Sequence, residues 1–291
     1  MVVTLIVGSL MIGSVYGMLA LGYSLIYSAS GLMTFTQGQL LMLGAYLGLH
    51  FYKNMGMPFI VAFLLTVVIM AALGMVMEKT LIRVLLNKGA TTIYIVLSTI
   101  GVSIILPNLA QALWGSQTLQ MPSIFPVETV KIFGVNVQPE SILIVVAGIA
   151  AMIFLHLFMT KSRFGISMRA AAMDPLAASS LGINVSLTTG LTWALAAALA
   201  GGIGCLLGPV YGVSTGMGDI IGNKGFAGAV IGGYGNMYGA IVGSLLLGFV
   251  ETFVAGYLTT TYKDFVSFFL LIIVMIFLPR GLFKAKVYDS D

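Results

Sequence analysis

The chain has 291 residues, 59% of them hydrophobic and 8% charged, with a net charge of +4. Soluble domains carry roughly 25% charged residues, so these side chains cannot cover a water-facing surface, and a soluble globular enzyme is excluded. No basic run interleaves with aromatics, which removes a nucleic-acid groove. The single cysteine, Cys205, can form neither an internal disulfide nor a thiolate metal cage.

The expected fold class is therefore all-α, a polytopic transmembrane helical bundle forming one domain over 1–291, with membrane lipid as its solvent. About 20 apolar residues are needed to cross ~30 Å of hydrocarbon. Runs of that kind stand at 3–29, 35–52, 58–78, 92–113, 140–160, 187–211 and 262–279. The first has no basic n-region and reads as a retained span rather than a cleaved signal. Asn54 to Pro58 forms a turn. Glu78 to Gly89 carries Glu78, Lys79, Arg83 and Lys88, and Gln117 to Glu140 contains Pro122, Pro126 and Pro139, so both read as non-spanning.

Basic residues set the orientation. Lys79, Arg83 and Lys88 mark one loop as cytoplasmic; Lys161, Arg163 and Arg169 mark another; Arg280, Lys284 and Lys286 mark a cytoplasmic C-terminus. Counting back places the N-terminus outside. Lys53, Lys131, Lys224 and Lys263 are left for the outer face. Parity then requires 225–257 to leave and re-enter on one side. Its 33 positions would make about 50 Å of helix, too long for one pass and short for two. The expectation is about eight spans, with a re-entrant or broken segment near 225–257 that breaks at Gly232, Gly233, Gly235 and Asn236. Non-helical backbone at that depth survives only where protein buries it or where it lines a cavity.

No G-x-x-x-x-G-K-[ST] motif occurs, so the chain has no phosphate-binding loop. His50 and His156 stand apart from any Cys, Asp or Glu cluster, which disfavours a metal site or a triad. The segment 161–184 is more informative. Asp174-Pro175 reads as an N-cap with proline at the first helical position, and Gly182 as a C-terminal stop. A short helix between Asp174 and Leu181, rich in Ala and Ser, suits a groove on a partner; the plainer alternative is a solvated connector.

This segment, Arg169-Ala170-x-x-x-Asp174-x-x-x-Ala178-x-x-x-Gly182-Ile183-Asn184, resembles the coupling loop of the branched-chain amino-acid ABC importer permease family. Gly13-x-x-Tyr16-x-x-x-Ala20-x-Gly22-Tyr23 and Lys224-x-Phe226-x-x-Ala229-Val230-x-Gly232-Gly233-x-Gly235 carry the same resemblance. So does Ala255-x-Tyr257-Leu258-x-Thr260-x-Tyr262-Lys263-Asp264 near the end. The resemblance runs the length of the chain and is strongest to the LivH-type subunit. One departure is Thr34-Phe35-Thr36-Gln37-Gly38, where family members commonly read Asn-Phe-Ala-His-Gly.

The resemblance implies a multi-pass bacterial inner-membrane permease that binds no cofactor itself. It implies a second homologous permease, two cytosolic ATP-binding subunits that use ATP, and an extracytoplasmic substrate-binding protein. Arg169, Ala170, Asp174, Ala178, Gly182 and Ile183 would couple to the ATPases. Thr36, Gln37 and Gly38, with Gly232, Gly233, Gly235 and Asn236, would lie along the translocation pathway. The rival reading is an ion-coupled carrier or channel, which would bury acidic residues at mid-membrane. Only Glu251 is a candidate, and its alternative place is a helix end near Tyr257 or Lys263.

Overall fold

The computed structural model describes residues 2–284 apart from 128, 133 and 134. Lys286, one of the basic markers of the C-terminus, lies outside the described residues. The chain runs through α1 (Val2–Ser30), α2 (Gln37–Leu49, continuing as a π-helical turn to Asn54) and α3 (Phe59–Met77). A π turn, Glu78–Ile82, joins α3 to α4 (Arg83–Asn87). Then come α5 (Thr92–Trp114), a small hairpin of β1 (Val130–Ile132) and β2 (Val135–Val137), and α6 (Pro139–Lys161). Helices α7 (Arg163–Met173) and α8 (Pro175–Ser180) precede α9 (Val185–Tyr211), α10 (Met217–Gly232), α11 (Met237–Tyr257) and α12 (Lys263–Phe277).

Seven helical runs among the described residues are long and apolar enough to cross a membrane. Six of them coincide with the sequence expectation; the seventh is Met237–Tyr257. Small residues place the innermost helices. An added Cβ at Gly44 would strike the backbone of Gly201, and one at Gly248 would lie 2.6 Å from Gly13 Cα. Lipid offers no hydrophobic drive between helices, so close backbone approach at such positions is what packs them. Helices α1, α2, α9, α10 and α11 form the centre, while α5 and α12 turn large apolar side chains such as Ile104, Leu113, Phe265 and Ile276 outward.

One end of the bundle collects the basic residues. There Arg83 reaches Ser186 at the start of α9, and the chain after α12 hydrogen-bonds to the end of α10 (Leu282 N to Ile231 O, 2.9 Å; Phe283 N to Gly232 O, 2.9 Å). At the opposite end Leu119 bridges to Val213, and Lys53 donates to the Gln120 carbonyl. The hairpin lies in the segment expected to be a plain loop; its four β-branched residues out of six supply the strand preference.

Two expectations need correction. The broken segment does break at Gly233–Gly235, but it is no pair of short halves within 225–257. Helix α10 begins eight residues earlier, at Met217, and α11 has 21 residues, about 32 Å and enough to cross. The chain returns to the end of the bundle where α9 finishes, through α10, which at 16 residues or about 24 Å is shorter than a span, and α11, which is long enough to be one. Conversely, the run at 35–52 is not a full span from end to end. Residues 31–36 are non-helical, and α2 starts only at Gln37.

Candidate functional site

Helix α2 begins inside the bundle. Gln37 Oε1 lies against Gly22 of α1, eight residues before that helix ends, so α2 starts about 12 Å short of the basic end. The backbone leading to it is held by threonines. Thr34 Oγ1 and Thr36 Oγ1 are 2.9 Å apart, Thr36 N–H donates to Thr34 Oγ1, and Phe35 N–H donates to Thr99 Oγ1. These bonds replace water for an extended stretch at depth.

The first turn of α2 packs against the first turns of α10. An added Cβ at Gly38 would strike the Gly218 carbonyl and lie 2.8 Å from Gly222 Cα, so any larger residue would separate the two helices. Two helix N-termini, each a partial positive charge, thus meet at one place. Asp219, in the first turn of α10, stands beside them and accepts a 2.6 Å hydrogen bond from Gln39 Nε2. Asp219 and Asn223 are exposed, one turn apart on the same face of α10. Gln37 is fully buried, and neither end of its amide has a hydrogen-bond partner among the described residues.

The glycine turn lies at the far end of α10. Gly233 and Gly235 take φ of 114° and 85°, values that favour glycine. Asn236 caps α11 by accepting from Tyr238 N–H and Gly239 N–H, and it donates to the Phe283 carbonyl at 3.2 Å. Gly232 is enclosed by the backbone of Gly239, and Gly233 by Gly281. These two positions serve close packing, and Gly235 is buried against the Tyr27 ring, where an added Cβ would lie 2.7 Å from Cδ1; Asn236 is half-buried. The structure therefore does not place the two expected pathway sets side by side. It joins them through rings: Phe35 lies 5.2 Å from Phe226, and Phe226 lies 5.5 Å from Tyr234 in the turn.

A groove of about 860 Å³ opens at the basic end between α1, α6, α7 and the start of α11. Arg169 and Ala170 line it, and so do Gly235 and Asn236. Residues expected to couple and residues expected to line a pathway thus share one wall.

Beyond the groove, α8 has the form its sequence predicts. Asp174 Oδ1 accepts from Leu176 N–H and Ala177 N–H, both at 2.9 Å, with Pro175 at the first helical position. Gly182 has φ 83°, and Ile183 N–H closes back on the Ala178 carbonyl at 3.0 Å. Ala178 is buried. The side chains that stand out are not the small ones: Met173, Leu176 and Leu181 are 86%, 80% and 81% exposed.

With this geometry in hand, residues 5–275 match the family described as Branched-chain amino acid transport system / permease component. The chain belongs to this family. The permease is 34% identical over 93% of its length to the high-affinity branched-chain amino acid transport system permease protein LivH of Escherichia coli K12, covering 92% of that chain. It is 35% identical to BraD of Pseudomonas aeruginosa, a protein described in the same terms, over 95% of this chain and 94% of that one. A probable LivH of Methanocaldococcus jannaschii is 26% identical over 94% and 90%.

Sequence reasoning missed one feature of the permease outright. Lys224, read as an outer-interface residue, is buried inside the bundle, 2.5 Å from Glu251 Oε1 and 2.6 Å from Asp264 Oδ1. Tyr16 OH donates to the other Glu251 oxygen at 2.9 Å. Glu251 therefore pairs with Lys224 and Tyr16, not with Tyr257 or Lys263. Asp219 and Asp264 stand in the first turns of α10 and α12. The signal available was charge parity: one basic residue and one acidic residue, each alone in an apolar run, are expected to find each other. Among the described residues no group of three His, Cys, Asp or Glu side chains could hold a metal.

Proposed function

We propose that this permease is the membrane-spanning subunit of a bacterial inner-membrane ABC importer for branched-chain amino acids or a similar small polar solute. It works by alternating access with a second homologous permease, two cytosolic ATP-binding subunits and an extracytoplasmic binding protein. The N-terminus faces outside and the basic end faces the cytoplasm, which agrees with the positive-inside rule.

The observation that carries this reading is the α7–α8 corner. There the last residue of α7, Met173, and Leu176 and Leu181 of the short, doubly capped α8 and its C-cap hold three large apolar side chains in water. Such an exposed patch on a rigid element marks a protein-binding surface. Since the chain has no phosphate-binding loop of its own, the energy is supplied by ATP on the partners docked there.

The substrate class follows from the relatives' names, and the meeting point of α2 and α10 is suited to it. Two helix N-termini and exposed Asp219 offer opposite partial charges to a zwitterion within one region. Thr36, Gln37 and Gly38 form one side of this place. Ion coupling finds less support. Of the three buried carboxylates among the described residues, Glu78 and Glu251 are paired with Arg83 and Lys224, and Glu140, in the first turn of α6, accepts from Ser123 Oγ and Ile124 N–H.

The test is uptake of labelled leucine into vesicles carrying the permease with its partner subunits, ATP inside and binding protein outside. Uptake that needs ATP and survives a protonophore supports the reading. Uptake that needs an ion gradient and ignores ATP defeats it.

A further inference from the structure

The groove at the basic end has a composition that its place in the coupling region does not require. Its long walls are apolar: Ile153 and Leu157 from α6, Met237 and Ile241 from α11. Ile153 and Leu157 are each about half exposed and continue the outer surface of α6 that Val146 and Ile149 begin, so the groove opens sideways onto the membrane-facing side of that helix. One end is polar. Arg169, His156, Thr160 and Asn236 gather there, and His156 is fixed by a 2.7 Å hydrogen bond between its Nδ1 and Tyr238 OH. No carboxylate lines the groove, and among the described residues Arg169 has no ion-pair partner. Lys161 and Arg163, at the junction of α6 and α7, add positive charge to the same end of the bundle.

We propose that this groove holds a phospholipid with an anionic headgroup, an acyl chain lying between α6 and α11 and the phosphate at Arg169. Three features fit this occupant. The volume, about 860 Å³, is in the range that encloses a small molecule, ~300–1,000 Å³. The long apolar slot ends in a cation at the level where headgroups sit, and basic pockets between spanning helices select anionic headgroups. The polar end carries a hydrogen-bond donor beside the charge, the second N–H of Asn236 Nδ2, which suits a phosphate oxygen; the Thr160 hydroxyl is already donated to the His156 carbonyl. A lipid seated here touches α7 and the turn before α11 together, so it would bridge the arm that carries α8 and the end of the broken segment.

The full-length protein, purified in detergent, is equilibrated with equal amounts of palmitoyl-oleoyl phosphatidylglycerol and phosphatidylcholine, and retained lipid is counted by native mass spectrometry. Phosphatidylglycerol should exceed phosphatidylcholine about fivefold, the selectivity expected of one basic group at a membrane surface. Arg169→Gln should bring the ratio near one, and it should leave the melting temperature in lipid-free detergent unchanged because the side chain is exposed. Leu157→Trp, which fills the slot, should lower retention of both lipids. Equal retention by the unmodified protein overturns the proposal, as does a preference that survives Arg169→Gln. Efficient cross-linking of Leu157→Cys to a second permease subunit in native membranes would also overturn it, because the groove mouth would then be a subunit interface.

Discussion

Replacing Leu176 and Leu181 together with Ser tests whether α8 docks on an ATP-binding subunit. Each side chain is about four-fifths exposed in the permease alone, so docking can remove most of its apolar area from water. Full burial of a leucine side chain is worth roughly 1.5–3 kcal/mol, and four-fifths of that is about 1.2–2.4. The pair then contributes about 2.4 kcal/mol at the lower limit, or roughly 50-fold in affinity at about 1.4 kcal/mol per tenfold. The permease itself should be unaffected, since exposed surface changes stay within about 0.5 kcal/mol. The assay is binding of the purified ATP-binding subunits to the permease in nanodiscs, read alongside its melting temperature. Affinity within threefold of the unmodified protein, at equal melting temperature, would refute the assignment. Gly182→Trp is the companion variant. Gly182 sits in the left-handed region with open space around it, so the change strains backbone without a clash, by about 1–2 kcal/mol. It should uncouple ATP hydrolysis from uptake while the protein still inserts.

Lys224→Met leaves Glu251 buried without its cation and should cost about 3–5 kcal/mol, whereas the double change with Glu251→Gln should recover much of that loss in a melting assay. A double variant as unstable as the single one would show that the pair is not the cause. Gln37→Leu removes two buried amide atoms that have no partner, so it should keep or raise the melting temperature while lowering uptake; normal uptake would take Gln37 off the route. Gly233→Leu should abolish folding or assembly, given φ of 114° and the backbone of Gly281 against it, and normal assembly would contradict the packing described. In a chain lacking Cys205, cysteines at positions 2 and 290 should label from opposite sides, and labelling from one side would overturn the orientation.

Most of the spans were legible because a run of about 20 apolar residues has few other fates. The α8 corner was legible too, since Asp-Pro and a following glycine act locally and need no tertiary context. What failed was long-range. Lys224 looked like a boundary because its neutralising partners lie 27 and 40 positions later, and that misplacement shortened α10 by eight residues. The early part of α2 failed for a related reason. Thr36 fell inside the run at 35–52 and was expected to be helical, yet its hydroxyl and that of Thr34 hold backbone that is not helical. The exposed leucines of α8 were hidden by the abundance of Ala and Ser around them, because which residues of a short helix face outward depends on what its one buried position, Ala178, packs against.

The buried lysine also constrains how the protein is made. A lone lysine at the centre of a helix entering the bilayer costs about 2.5–3.5 kcal/mol, and α10 has only 16 residues and a high glycine content to set against it. Glu251 and Asp264, the two carboxylates that neutralise Lys224, belong to the next two helices to leave the ribosome. Helix α10 can therefore settle at its final depth only after α11 and the start of α12 have been synthesised. The last quarter of the chain, from Met217 onward, is therefore expected to settle as a single unit, and a protein truncated before Glu251 would leave Lys224 without a carboxylate and should be degraded instead of forming a shorter permease.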